Sequence, residues 1–385
     1  MMTIDFASVP ALWTGVCGIF FLIQLVYIGG VYSRLHLHFR RGKETEPLDL
    51  PPVSVIIVTK DSGEALNENL PAVLEQDYPQ FEVIVVNDKS AGEDELILTR
   101  LAGRYTNLYH TFIPETARYV SRKKLGIAMG IRASRYDWIV VASPFGCPVS
   151  PNWLKSLARE MTPETDIVLG YSNYSSKKGY FARRITVDSF FRSLRYLCMA
   201  LAGRPYMGIG NNLAYRKRIY LEHKGFSDHL QLQRGEDDLF INAVANRLNT
   251  RVARGAESIV RLPVPASKRV WKEEMLNAMV TGHYYRGIAP FLNALETWTC
   301  GLFHLSFLVA LVVSILSHEW VLAAIVIFFG MVRFLAVMHF FYHTAWDLKE
   351  KFGCFLPFFD LFRPVWSLVR RIQYLFCKKN DFLRK

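Results

Sequence analysis

The sequence predicts an α/β protein. A mainly parallel sheet flanked by helices is expected, with one N-terminal and two C-terminal transmembrane helices. Three observations carry this. Short β-branched apolar runs alternate with helical stretches between residues 53 and 141, the pattern of strands joined by crossover helices. Leu12–Val31 has no charged residue over twenty positions, the length a bilayer span needs. Near the end, Leu302–Leu316 and Val321–Phe341 are apolar apart from Arg333, and Ser317-His318-Glu319-Trp320 joins them as a short turn.

Taken in order, Leu12–Val31 reads as a retained span. No Lys or Arg precedes it and no small-residue cleavage site follows, as a signal peptide would require. Asp5 lies before it and Arg34, Arg40, Arg41 and Lys43 after it, so the positive-inside bias places residue 34 onward in the cytoplasm. The expected boundaries are a span over 1–33, a linker over 34–52, the α/β domain over 53–265, interface helices over 266–300, a membrane hairpin over 301–342 and a basic tail over 343–385. Val53–Val58 is the first strand, with Thr59–Gly63 as its loop and Leu66–Leu74 as a helix. Phe81–Val86 is the second strand, ending at Asn87-Asp88-Lys89-Ser90 and followed by a helix through Leu101. Leu108–Ile113 is a third strand, Arg122–Ala133 a helix and Trp138–Val141 a fourth strand. No Gly-x-Gly-x-x-Gly and no Walker loop follows the first strand, which argues against dinucleotide and P-loop folds.

Ligands of such sheets sit at the carboxyl ends of the strands. After the fourth strand, Ala142–Leu154 occupies that place, yet no Asp or Glu occurs between Asp137 and Glu160. Asp88 could accept from a base N–H, or serve with Ser90 as a turn or helix cap. Arg122-Lys123-Lys124 opens a helix against its dipole; phosphate binding and a solvated face both remain open. Arg204–Tyr215 carries Gly208, Gly210, Asn211 and Asn212, either a close approach to a ligand or a tight turn. Glu236-Asp237-Asp238 precedes a helix start. Part of the cluster could cap, but three acids exceed what a cap needs, and one could act as a general base.

In the C-terminal part, Arg333 sits mid-span and must face protein or a water-filled cavity. Phe355–Phe376 is too charged for a span and suits a helix lying in the membrane interface. The net charge of +12 matches a body held against anionic lipid. The six cysteines show no paired spacing, so neither a disulfide framework nor a zinc site is read. No recognition motif makes nucleic acid an expected partner. A transporter is disfavoured, since three spans enclose little.

Together the segments VSVIIVTKDSGEALNENLP, QDYPQFEVIVVNDKS, RKKLGIAMGIRASRYDWIVV, GRPYMGIGNNLAYRK and RGEDDLFINAVANRLNT resemble membrane-bound family 2 glycosyltransferases of the GT-A fold, common in bacterial envelope and polysaccharide synthesis. The resemblance runs from Val53 to Tyr285. It implies a nucleotide-sugar donor and inverting transfer to an acceptor hydroxyl. Thr59, Asp61 and Asp88 would contact the nucleotide base, and Lys123 or Lys124 the diphosphate. Asp237, with Glu236 beside it, would be the catalytic base, and Gly208, Asn211 and Asp238 would lie on the acceptor side. It also implies Mg²⁺ or Mn²⁺, membrane lipid and a glycan or lipid-linked acceptor as partners, and an inner-membrane location with the catalytic domain in the cytoplasm.

Three departures stand against it. The family's Asp-x-Asp-Cys-x-Pro metal motif, aligned without gaps, falls with its acids on Ser143 and Phe145, while Pro148, Ser150, Trp153 and Leu154 match. The Gln-x-x-Arg-aromatic segment that follows Trp271 in relatives is here Asn277–Thr281. Lys60-Asp61-Ser62 replaces a frequent Asn-Glu pair. The alternative is therefore a fold retained as a binding or scaffolding subunit, partnering another glycosyltransferase.

Overall fold

The structure, a computed structural model, describes residues 8–41, 50–88, 92–114, 116, 121–175, 179–353 and 356–377. Asp5, residues 42–49 of the expected linker, and Lys89 and Ser90 lie outside the described residues. The chain divides into two compact units, Met1–Leu37 with Ile288–Leu375, and His38–Gly287 with Phe376–Lys385.

In chain order, helix α1 (Ser8–Val26) passes through a π-helical turn (Tyr27–Tyr32) into α2 (Ser33–Arg41). The α/β unit follows: β1 (Val53–Thr59), α3 (Gly63–Leu74), β2 (Phe81–Asn87), α4 (Glu93–Ala102), β3 (Leu108–Phe112), α5 (Arg122–Ala133) and β4 (Trp138–Ala142). Next come β5 (Cys147–Pro148), α6 (Trp153–Ala158), β6 (Ile167–Leu169), β7 (Ser172–Tyr174), α7 (Tyr180–Leu201), β8 (Asn212–Arg216) and α8 (Lys217–Glu222). The unit closes with α9 (Asp238–Val244), β9 (Thr250–Val252), β10 (Val260–Leu262) and α10 (Lys268–Gly282). The chain then returns to the helical unit with α11 (Ala289–Leu316), α12 (Trp320–Asp347) and α13 (Leu356–Leu375).

The main sheet has the order β3-β2-β1-β4-β8-β6-β9. Its first four strands run parallel, and β8 alone runs antiparallel to both its neighbours. Both faces are covered, which is why these strands are continuous apolar runs rather than alternating ones. Val53, Val55 and Ile57 of β1 pack with Leu66, Leu70, Leu98 and Trp153. On the opposite face Ile84 and Val86 of β2 meet Val58, Leu125 and Met129. A second, three-stranded sheet, β5-β10-β7, ties the segment after β4 to the rest of the unit. The α/β fold expected from the sequence is the fold observed.

In the helical unit, α1 with α2, α11 and α12 are each long and apolar enough to cross a membrane. Phe21 stacks on Phe329 with centroids 4.7 Å apart. Cys17, Phe303, Ala310 and Val326 complete this contact. Arg333 faces protein. It donates to Asp360 of α13 at 2.8 Å and to Gln24 of α1 at 3.1 Å. Arg363, also on α13, meets Glu296 of α11 and lies 3.1 Å from Asp360. These four ionic side chains are 1–6% exposed. The hairpin's first helix begins well before Leu302, because Glu296, Thr297 and Thr299 are buried within the unit rather than exposed as their polarity suggests.

Candidate donor and acceptor site

The carboxyl ends of β1 and β2 form one side of the site. Lys60 to Ser62 turn sharply there, with Asp61 exposed at a positive φ of 47°. The turn is held by Asp94 in the first turn of α4, which is 1% exposed and accepts from Thr59 Oγ1 and from Ser62 N, both at 3.0 Å. The hydroxyl of Thr59 is thus engaged within the protein. Asp88 follows β2, its N–H donating to Thr59 O at 2.8 Å. Its carboxylate pairs with Arg122 Nε and stands 3.8 Å from Lys60 Nζ. The resemblance implies Lys123 or Lys124 near the diphosphate. The cations found at these strand ends are instead Lys60 and Arg122, with side chains 63% and 27% exposed.

The two lysines point elsewhere. Ser121 caps α5 by accepting from Lys124 N, and the helix directs both ammonium groups toward the segment before α9. Lys124 Nζ donates to His229 O at 2.6 Å and Leu232 O at 2.9 Å. Burial pushes its pKa down to about 8 despite the acids nearby. Lys123 Nζ meets Glu236 at 2.7 Å. Burial alone would raise the Glu236 carboxyl, but the Lys123 ammonium outweighs it and holds that carboxyl below its ordinary range.

The three consecutive acids therefore have three different fates. Gly235 makes the turn that separates them from Arg234. Its φ is 102°, and a Cβ there would meet Leu239 at 2.6 Å. Glu236 is 4% exposed and committed to Lys123, which corrects its expected place beside the base. Asp238 is 5% exposed. Its Oδ2 accepts from Tyr285 OH at 2.7 Å and from Thr281 Oγ1, and its Oδ1 from Leu239 N at 2.8 Å. Burial, and then the neighbouring Asp237, raise its pKa to about 6. Asp238 thus fastens the end of α10 rather than facing an acceptor. Only Asp237 is part-exposed. It caps α9, its Oδ1 accepting from Asp238 N at 2.8 Å and its Oδ2 from Gly210 N at 2.7 Å. Gly210 permits that approach; a Cβ would lie 3.3 Å from Asp237 Oδ2 and 3.6 Å from Val141 at the end of β4.

The glycine- and asparagine-bearing loop divides likewise. Gly208 is buried, and a Cβ would meet Leu213, Ile241 and Leu169 at 3.1–3.2 Å, so it is a packing position. Asn212 is 1% exposed and accepts from Trp153 Nε1 at 3.0 Å. Asn211 is left to line a small recess with Arg192, Trp271 and Glu274, residues the sequence reading did not select for a site.

The loop after β4 is anchored within the unit at three of the residues that match the motif. Pro148 pairs with Val260, Ser150 Oγ accepts from Asn152 N at 3.1 Å, and Trp153 is fully buried. Ser143 Oγ accepts from Phe145 N at 3.3 Å, and the Phe145 ring is 43% exposed. A hydroxyl and a benzene ring are not a donor set for Mg²⁺ or Mn²⁺, which take carboxylate-rich oxygen ligands. Among the described residues no group of three or more His, Cys, Asp and Glu side chains could hold a metal ion. The residues present do not fit the family's metal.

The family model described as glycosyl transferase family 21 matches residues 21–365. Among solved structures, the mannosyltransferase PcManGT from Pyrobaculum calidifontis in complex with GDP-Man and Mn2+ superposes with a TM-score of 0.56 and 15% identity, over 88% of this chain and 98% of that one. S. aureus TarS 1-349 in complex with UDP-GlcNAc gives 0.43 and 13%, over 84% and 89%. At these identities the first likeness speaks for the fold, and the second is too low to carry an argument. The motifs suggested family 2; the family model that matches is a different one, and it takes in the spans as well as the sheet. The chain is a glycosyltransferase and belongs to glycosyl transferase family 21.

Proposed function

We propose that the protein transfers a sugar from a nucleotide-sugar donor to an acceptor hydroxyl with inversion, and that Asp237 is the base. The observation that supports this is the contrast within the acid cluster. Glu236 and Asp238 are buried and bonded, while Asp237 is part-exposed and fixed by two backbone N–H groups beside the end of β4. Its carboxylate takes the proton of the acceptor hydroxyl. The oxygen so activated attacks the anomeric carbon on the face opposite the diphosphate. The bond to the diphosphate oxygen breaks, and the nucleoside diphosphate leaves with the electron pair. Asp88, at the ends of β1 and β2, accepts from the nucleotide base, and the exposed Lys60 and Arg122 meet diphosphate charge. The basic residues flanking the spans favour a multi-pass inner-membrane protein with this unit in the cytoplasm and a glycan or lipid-linked acceptor.

The test is donor titration of the purified full-length protein with UDP-glucose, UDP-GlcNAc and GDP-mannose, with and without Mg²⁺ or Mn²⁺. We expect binding without metal, abolished in Asp88→Ala. Asp237→Asn should bind donor as the parent does and lose transfer by about 10²–10⁴-fold. Failure to bind any donor would sink the reading. A binding role without turnover is favoured by Ser143 and Phe145, which offer no carboxylate to a metal; it predicts donor bound and no transfer by the parent protein.

A further inference from the structure

The loop between α9 and β9 ends in a tight tip. The Asn246 side chain accepts from Leu248 N at 2.8 Å and from Asn249 N at 3.1 Å, an asparagine turn that holds the tip in shape. Leu248 stands there 78% exposed. One exposed leucine is ordinary on a protein surface; the charge around this one is not. Arg247 precedes it, and its stem lies over Gly203, where a Cβ would come within 3.0 Å of Arg247 Cδ. Arg204, the next residue, therefore borders the tip. The Arg251 guanidinium donates to Leu248 O at 3.4 Å. Asn242 of α9 donates to Arg286 O at 3.3 Å and accepts from Arg286 N at 2.8 Å, which ties Arg286 to the same helix. Arg204, Arg247 and Arg286 are exposed. Among the described residues none of these four arginines forms an ion pair. The acids beside this region are engaged elsewhere. Asp166, whose N–H donates to Asn249 O, pairs with Arg218, and Glu160 pairs with Arg254 at 2.8 Å.

Both passages of the chain between this unit and an apolar helix are found here. His38, on the helix that continues α1, bonds Val252 O at 2.9 Å, on the strand that directly follows the tip. Arg286 and Gly287 lead straight into α11. Charges act through physiological salt over only about 8–10 Å, so arginines near these passages are the ones an anionic bilayer surface can attract. An exposed apolar residue among cations suits that surface, where headgroups meet the charges and the acyl boundary takes the side chain. A second copy is a poorer occupant, because a two-fold contact would set the same cationic patch against itself. We propose that the 246–249 tip, with Arg204, Arg247, Arg251 and Arg286, docks on anionic lipid headgroups and that Leu248 enters the bilayer between them. The proposal stands apart from the transferase reading, and its test needs no donor.

Full-length protein is placed in nanodiscs, one copy per disc, of phosphatidylcholine alone or with one-quarter phosphatidylglycerol, and amide exchange is followed by mass spectrometry. A basic residue near such a surface contributes about fivefold in affinity. The anionic discs should therefore slow exchange over 246–251 by about tenfold or more, and Arg247→Gln should give back about fivefold of this. Leu248→Gln should also speed exchange there. The difference between discs should vanish at about 0.5 M NaCl, where the reach of charge falls to about 4 Å. Equal exchange in the two discs overturns the proposal, as does a slowing that both variants retain. Slowing that appears in phosphatidylcholine only when two copies share a disc identifies a second copy as the occupant and also overturns it. If Arg247→Gln speeds exchange in α5 as well, the fold is disturbed, and Leu248→Gln decides in its place.

Discussion

Both units bury charge, and they do so in different proportions. In the helical unit Glu296, Arg363, Asp360 and Arg333 form a connected series of two cations and two anions. In the α/β unit Glu236, Asp237, Asp238 and Glu274 are set against Lys123, Lys124 and Arg192, and of these seven only Glu236 and Lys123 make an ion pair. A balanced set has no electrostatic need of an outside partner. It holds helices together where neither lipid nor water could compensate a lone charge. An unbalanced set retains carboxylates whose charge is free to respond to a proton or a substrate hydroxyl. The difference separates fastening from chemistry within a single chain.

The strongest way to break that comparison is to unbalance the balanced set. Glu296→Ala leaves Arg363 short of a counter-ion, and removal of one partner from a buried pair is expected to lower stability by about 3–5 kcal/mol. Thermal unfolding in detergent should show it, and Glu296→Leu combined with Arg363→Met should recover most of the loss. A neutral single substitution would mean the series is not a fastening.

A smaller effect of opposite sign is expected at Asp238. Its folded pKa of about 6 lies above the ordinary 3.8, so the folded state binds the extra proton between these values. Stability from this group is therefore present below pH 4 and falls as pH rises toward 6. Asp238→Asn should remove that slope and leave the protein more stable at pH 7, by up to about 2 kcal/mol. A steeper slope, or a loss of stability at pH 7, would show that the charged form is what the Thr281 and Tyr285 hydroxyls require. The smallest structural effect is expected from Ser143→Asp with Phe145→Asp. These loop positions should change stability by no more than about 0.5 kcal/mol, while Mn²⁺ gains an effect on nucleotide affinity that the parent lacks. Equal metal dependence in both proteins would place the ion elsewhere.

The sheet was legible where strands are buried on both faces. The runs in β1, β2 and β4 and the helix α5 were read within a residue of their observed bounds, because β-branched runs and a twelve-residue amphipathic stretch leave few alternatives. The small sheet was not, since strands of two or three residues carry no usable period. Helix α7 starts at Tyr180 after Gly179, which offers no side-chain cap, and mixes arginines with aromatics, so neither a start signal nor a clean apolar face marked it. Arg192 was missed with it. The hairpin was read from 301 onward, whereas α11 begins at Ala289; Glu296 is buried there because Arg363, 67 positions away, meets it. The acid cluster itself was visible, but which acid stays open depends on Lys123, Thr281 and Tyr285, and sequence spacing does not reveal such partners. Asp94 was overlooked for a similar reason: an acid in a first turn satisfies the helix dipole by itself and gives no sign that it also holds the loop after β1.

One consequence of the two lysines of α5 concerns motion. Lys124 grips the chain at His229 and Leu232, and Lys123 grips it again at Glu236. The stretch that delivers the base is thus pinned on both sides of its glycine turn to a helix that lies against the centre of the sheet. It cannot swing as an independent flap. Access for substrates and exit for the spent nucleotide must be governed by other segments, and amide exchange through Leu232–Asp238 should be as slow as in α5 itself.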